Sequence, residues 1–140
     1  MSLRVFLSSV VLLALSCATR SVRDPSAIAH QVCAGSPSSD TTVFDTTQVS
    51  QKPEIIAGPS LSYPDDLRRR GISGRVVVAA VIDVHGRAEP GTIRIIRSDN
   101  LGFDASVRTY TRSATYLPGC REGHAVRVRI TFPVDFRVMP

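Results

Sequence analysis

These 140 residues contain no tryptophan, only three tyrosines and five phenylalanines. A core built from them must rest on Val, Ile and Leu, with the few rings as fixed points. Lysine is nearly missing as well: Lys52 is the only one, so arginine carries the net charge of +5. A mild positive balance suits anionic surfaces but selects none. Histidine and cysteine are sparse, at His30, His85, His124 and Cys17, Cys33, Cys120, with no C-x-x-C or H-x-x-x-H spacing among them. That removes the usual support for a zinc site. Cys120 and His124 are close enough to share a metal, with His85 or Cys33 as further donors, but a surface turn is the simpler reading. Phosphate loops and paired carboxylates are missing. Asp83 and His85 resemble a triad fragment only superficially, since no nucleophile motif accompanies them. The chain reads as non-enzymatic, and no cofactor or metal is expected.

Long apolar runs are also missing. The longest, residues 5–15, is about half of the ~20 residues a spanning helix needs. With Arg4 before it and Ala14-Leu15-Ser16 after it, residues 1–16 have the shape of an export signal. Cys17 follows directly, which suggests a lipoprotein signal. The usual form has Leu three residues before the Cys, whereas here Leu13 falls one position early. Two outcomes follow: a lipid anchor on Cys17, or plain cleavage. Export places the other cysteines in oxidising conditions. Cys33 and Cys120 would then either pair, closing a loop of nearly ninety residues and stabilising by roughly 4 kcal/mol, or remain two free thiols.

Residues 17–52 are rich in Ser, Thr, Ala and Asp, with Pro25, Gly35 and Pro37 as breakers, and read as a flexible tether. A short extra strand over residues 42–45, with 48–49, is an option within it. The folded domain is expected over residues 53–140.

Its organising stretch is residues 63–86. Pro64, Asp65 and Asp66 begin a short helix, Arg68 to Arg70 end it, and Gly71 suits the left-handed cap. The run 76–84 that follows is apolar on both parities, with Val76, Val78, Ala80, Ile82 and Val84 on one face and Val77, Ala79 and Val81 on the other. Such a strand is central in its sheet. Asp83-Val84-His85-Gly86-Arg87 is a turn with Gly86 free to take positive φ. A second strand spans 92–97. Phe103, Val107, Tyr110 and Ala114 make one stripe of a helix over 103–116, stopped by Pro118-Gly119. The last strand, 125–138, alternates Val126, Val128, Ile130, Phe132, Val134 and Phe136 against Arg127, Arg129, Thr131 and Asp135. Pro133 cannot donate to a ladder, which places this strand at the sheet edge. The expected fold is α+β: a small antiparallel three-stranded sheet, order 2-1-3, with two helices packed on one face.

Tyr63-Pro64, Arg70-Gly71-Ile72-Ser73-Gly74-Arg75-Val76, Ile82-Asp83, Gly86, Ser98, Phe103-Asp104-Ala105, Tyr116-Leu117-Pro118-Gly119, Gly123 and Phe132-Pro133-Val134-Asp135-Phe136, in this order, resemble the C-terminal domain of TonB-family energy transducers. The resemblance covers about residues 53–138. It implies the architecture just described, a periplasmic location, and engagement of the plug peptide of an outer-membrane TonB-dependent transporter by strand addition, with motor-complex proteins as further partners. The implied edge falls on Val126, Arg127, Val128, Arg129, Ile130, Thr131 and Phe132. An exposed edge offers unpaired N–H and C=O groups to an extended peptide. Arg127 and Arg129 on the outward parity would then either read acidic peptide residues or simply guard the edge against aggregation.

Two departures from the family pattern are visible. There is no full transmembrane helix to couple to a motor, and about 35 residues of flexible arm have an r.m.s. reach of only ~30–35 Å. A lipid-anchored or soluble periplasmic binding module fits better than a complete energy transducer. The rival reading is a structural lipoprotein that binds cell-wall or outer-membrane polymer through its Arg-rich face. Nucleic-acid binding is disfavoured, because the outward parity of the last strand lacks aromatics between its arginines.

Overall fold

The computed structural model describes Cys33 and residues 35–138. The expected export signal and Cys17 lie outside the described residues. In chain order the elements are β1 (Val43–Asp45), β2 (Glu54–Ala57), α1 (Asp65–Arg69), β3 (Gly74–Ile82), β4 (Arg94–Ser98), α2 (Asp104–Ser113), β5 (Thr115–Leu117), β6 (Gly119–Arg121) and β7 (His124–Phe136).

The apolar run behaves as its composition requires. Val76, Val78, Ala80 and Ile82 are buried, while Arg75 on the other parity is exposed and Val77 and Ala79 are half-buried. β3 is the middle of the sheet, antiparallel to β4 on one side and to β7 on the other, where its register runs unbroken from Gly74 opposite Phe136 to Ile82 opposite Val128. The expected order of hairpin mate, central strand and last strand is therefore present, but within a larger sheet. β1 adds parallel to β7, giving the path β1-β7-β3-β4; β6 turns back on the start of β7, and β2 pairs with β5 in a separate ribbon. A three-stranded sheet undercounts the fold.

The expected pair of helices is also unequal. α1 has five residues, too few to stand without tertiary packing, and it contributes one buried side chain, Leu67. It ends as its sequence suggests, with Gly71 at φ 66°. α2 stops at Ser113, earlier than the apolar stripe implied, because Ala114 is extended and Thr115 to Leu117 become β5. The Tyr116 amide donates to the Gly86 carbonyl at 2.9 Å. A side chain at Gly86, which sits at φ 74°, would overlap the Tyr116 carbonyl. Long-range packing on that turn thus ends the helix. Burial pushes the Tyr116 hydroxyl up to about 12.

Both helices lie on the face carrying the even-numbered residues of β3. Leu67, Phe103, Val107 and Tyr116 join Val76, Val78, Ala80, Ile82 and the inward residues of β7 in one core. Its aromatic centre is small, as the composition demands. Phe103 stacks on Phe136 with centroids 4.1 Å apart, and Tyr63 meets both edge-on. The Tyr63 hydroxyl donates to the Ile72 carbonyl at 2.6 Å, so the ring enters the core without stranding its polar tip.

Packing begins earlier than Pro53. Cys33 and Cys120 form a disulfide, both buried with Ala125 beneath Val84. Residues 35–51, expected as tether, run as an arm along the start of β7 and contribute β1 there.

Candidate functional site

The backbone of β3 reveals which side of β7 is open. Arg75 gives its N–H to the Asp99 carboxylate and takes the Asp99 N–H on its carbonyl, both on the β4 side. The Val81 N–H and C=O likewise meet Thr92 and Glu89. In a strand, successive residues turn their backbone groups to opposite neighbours. The even-numbered residues of β3 therefore face β7, and by register residues 128, 130, 132, 134 and 136 of β7 face back. The odd-numbered residues of β7 point their backbone outward. Consistent with this, Ser38 N–H reaches the Ala125 carbonyl from outside at 2.9 Å.

The outward groups then divide into two halves. From residue 123 to 129 the chain's own arm covers them. Gly35 and Ser38 take the Gly123 and Ala125 carbonyls, and β1 sets Val43, Phe44 and Asp45 beside Arg127, Val128 and Arg129. From 130 to 136 no strand lies beyond β7 among the described residues. There Thr131 and Asp135 offer N–H and C=O, and Pro133 offers only C=O. Pro133 sits where its missing donor interrupts no bond to β3. The edge position that Pro133 implied holds for this half of the strand and not for the half before it.

Beside the free half lies a groove of about 790 Å³, lined by residues 45–47, 52–55 and 129–132. Ile55 is exposed on its far wall and Phe132 half-buried on its near wall. Of the residues expected at the site, Arg129, Ile130, Thr131 and Phe132 line it. Val126 and Val128 are buried core residues, and Val128 is fully enclosed.

The two arginines part company. Arg127 makes a two-pronged ion pair with Glu89, at 2.6 and 2.8 Å, and donates to the Thr41 carbonyl. Its guanidinium, hydrogen-bonded to that carboxylate, holds Glu89 below the usual carboxylate range. It fastens the arm and is not free to read a ligand. Arg129 is exposed and, among the described residues, makes no ion pair. The sequence treated the two as equivalent because they share a parity; Glu89, 38 residues away, separates them. The suggested metal donors do not meet either, since the Cys120 sulfur is bound to Cys33 and His124 Nδ1 lies 3.0 Å from the Ser36 carbonyl. Reasoning from sequence missed the groove wall at residues 45–47 and 52–55, where Pro53 marked only the start of the expected domain.

The family model for the Gram-negative bacterial TonB protein C-terminal matches residues 59–138, more than half of the chain. The chain belongs to the TonB C-terminal family. This is a family of non-catalytic interaction domains of TonB-dependent transport, periplasmic, whose members engage outer-membrane transporters. The solution NMR structure of the Pseudomonas aeruginosa TonB C-terminal domain superposes with a TM-score of 0.53 at 24% identity, covering 76% of this chain and 95% of that one. That likeness speaks for the TonB fold. No curated protein matches the chain. No helix among the described residues is long and apolar enough to cross a membrane.

Proposed function

We propose that this TonB C-terminal domain binds an extended plug peptide of an outer-membrane TonB-dependent transporter by strand addition to the outer side of β7, over residues 130–136. The observation that carries the reading is the pairing of an open backbone row, at Thr131, Pro133 and Asp135, with a groove that can take side chains of the added strand. Ile55 and Phe132 suit an apolar side chain there, and Arg129 at the near end suits an acidic one. The exported chain works from the periplasm, held to the membrane by a lipid on Cys17.

The test is a titration of the protein with ten-residue plug-segment peptides, read by backbone amide shifts. Thr131→Pro removes the one outward N–H between Arg129 and Asp135 and leaves the bonds to β3 in place. It is expected to weaken binding about tenfold or more while the fold survives, as Pro133 already shows is possible two residues on. Peptides N-methylated at alternate residues should divide into binders and non-binders with a period of two. Indifference to both changes would exclude strand addition at this edge. Binding to anionic polymer through the arginines would instead collapse between low and physiological salt.

A further inference from the structure

The arm that covers the first half of the β7 edge is closed into a loop at a single residue. Cys33 is bonded to the Cys120 sulfur. At its other end, Ser50 and Gln51 donate to the Cys120 carbonyl at 2.8 and 3.3 Å, and the Cys120 N–H returns to the Gln51 carbonyl at 2.9 Å. Within the loop, β1 is only three residues long, and a pairing that short is marginal by itself. Its neighbours hold it in place. Phe44 packs on the core edge with the Arg121 guanidinium 4.8 Å above its ring, and Arg127 grips the Thr41 carbonyl. Beyond β1 the chain turns at once: the Gln48 N–H meets the Asp45 carbonyl at 2.9 Å, and the Gln48 side chain returns to the Asp45 N–H at 2.8 Å. That turn is one end of the groove, and the residues after Gln51 are its far wall.

We infer that the arm is a resident occupant of the acceptor edge and a working part of the binding site: β1 fills residues 127–129, and the turn after it is the stop that sets the register and length of an added peptide. This rests on the strand-addition reading above. An extended partner is then limited to a strand of about seven residues, end-on to Asp45, with the apolar side chain nearest the stop directed between Ile55 and Phe132. The loop closure at Cys120 raises the local concentration of β1 at its own edge, so β1 outcompetes an incoming strand there even though its pairing is short. A partner with a longer extended segment gains nothing from the extra residues while the bridge is closed.

Two variants separate the parts. Cys33→Ala with Cys120→Ala opens the loop, and Phe44→Pro leaves the bridge intact but removes from β1 the residue whose backbone turns to β7, since Asp45 spends its own N–H and C=O on Gln48. Hydrogen exchange at the amides of Arg127 and Arg129 is expected to rise about tenfold or more in both variants relative to wild type. With ten-residue plug-segment peptides, the wild-type footprint on backbone amides should cover Thr131 and Asp135 and leave Arg127 unshifted. In both variants it should extend to Arg127, with affinity rising several-fold. Unchanged exchange at Arg127 and Arg129, or a wild-type footprint that already includes Arg127, overturns the inference while strand addition stands. A peptide that shifts no residue of β7 in any of the three proteins overturns strand addition and the inference together.

Discussion

The sheet has two open margins, and they are built differently. β4 ends the path on one side, and the second half of β7 is free on the other. Along β4 the register slips: Val77 faces Arg97 and Val78 faces Ile95, so Ile96 is the extra residue of a bulge, and it is 61% exposed. A bulge twists an edge and interrupts its row of donors and acceptors, which protects it from unwanted pairing. The free half of β7 has no such break, since its register against β3 is regular through Phe136. Among the described residues its only guard is Pro133, which removes one donor and leaves the carbonyl. Edge geometry, more than arginine content, distinguishes a protected margin from a receptive one, because both margins carry arginine.

The contrast is most sharply broken at the side chains that line each margin. Phe132→Ala should weaken plug-peptide binding at least about tenfold, since it removes the near wall of the groove. Because the ring also packs on the core, the same change should cost about 2 kcal/mol of stability. Ile96→Ala, at the bulge of β4, should leave binding unchanged and stability within about 0.5 kcal/mol. Paired isothermal titration and denaturant melts of the two variants measure both quantities. Equal losses of binding would mean that the peptide does not discriminate between the margins.

A smaller effect is expected from acid, on the covered half of β7. The folded-state pKa of Glu89 is lowered by its hydrogen bonds from Arg127, so the carboxylate binds its proton less readily than in the unfolded chain. The stabilisation from this pair is fully present above the unfolded value and is lost as pH falls through the lowered one. Melting temperature should therefore decline below about pH 4.5. Glu89→Gln should cost about 1 kcal/mol at neutral pH, flatten that decline, and loosen the arm without touching the free half. A pH profile identical in wild type and Glu89→Gln would remove the pair from the account of how the arm is held.

What the sequence made legible was whatever a single strand or turn decides for itself. Apolar residues on both parities marked β3 as central, the alternation in β7 marked its inward face, and Gly71 and Gly86 were placed at turns they do occupy. What stayed hidden depends on partners far along the chain. The expected helix ran on to Tyr116, and only the bond from Tyr116 to Gly86 draws that residue into β5. β2 is exposed at all four residues, so it has no alternation to read. β1 lies where the optional strand over residues 42–45 was expected, but it is too short for a period, and its place beside Arg127 follows from the closure of the arm at Cys120. The site was therefore half legible: its strand was visible, and the division of that strand into a covered and a free half was not.

The smallest expected difference concerns one unpaired arginine at each margin, Arg129 on β7 and Arg94 on β4. Neither makes an ion pair among the described residues, and both are exposed. If an acidic residue of the peptide lies beside Arg129, Arg129→Gln should weaken binding about two- to fivefold, the range of an exposed ion pair. The loss should vanish in about 0.5 M salt, because exposed charges are screened over a few ångströms there. Arg94→Gln should have no effect at either salt concentration, since no added strand runs past it. If instead the two substitutions weaken binding equally, and salt abolishes binding itself, the arginines act as a diffuse cationic face, and the polymer-binding reading displaces strand addition.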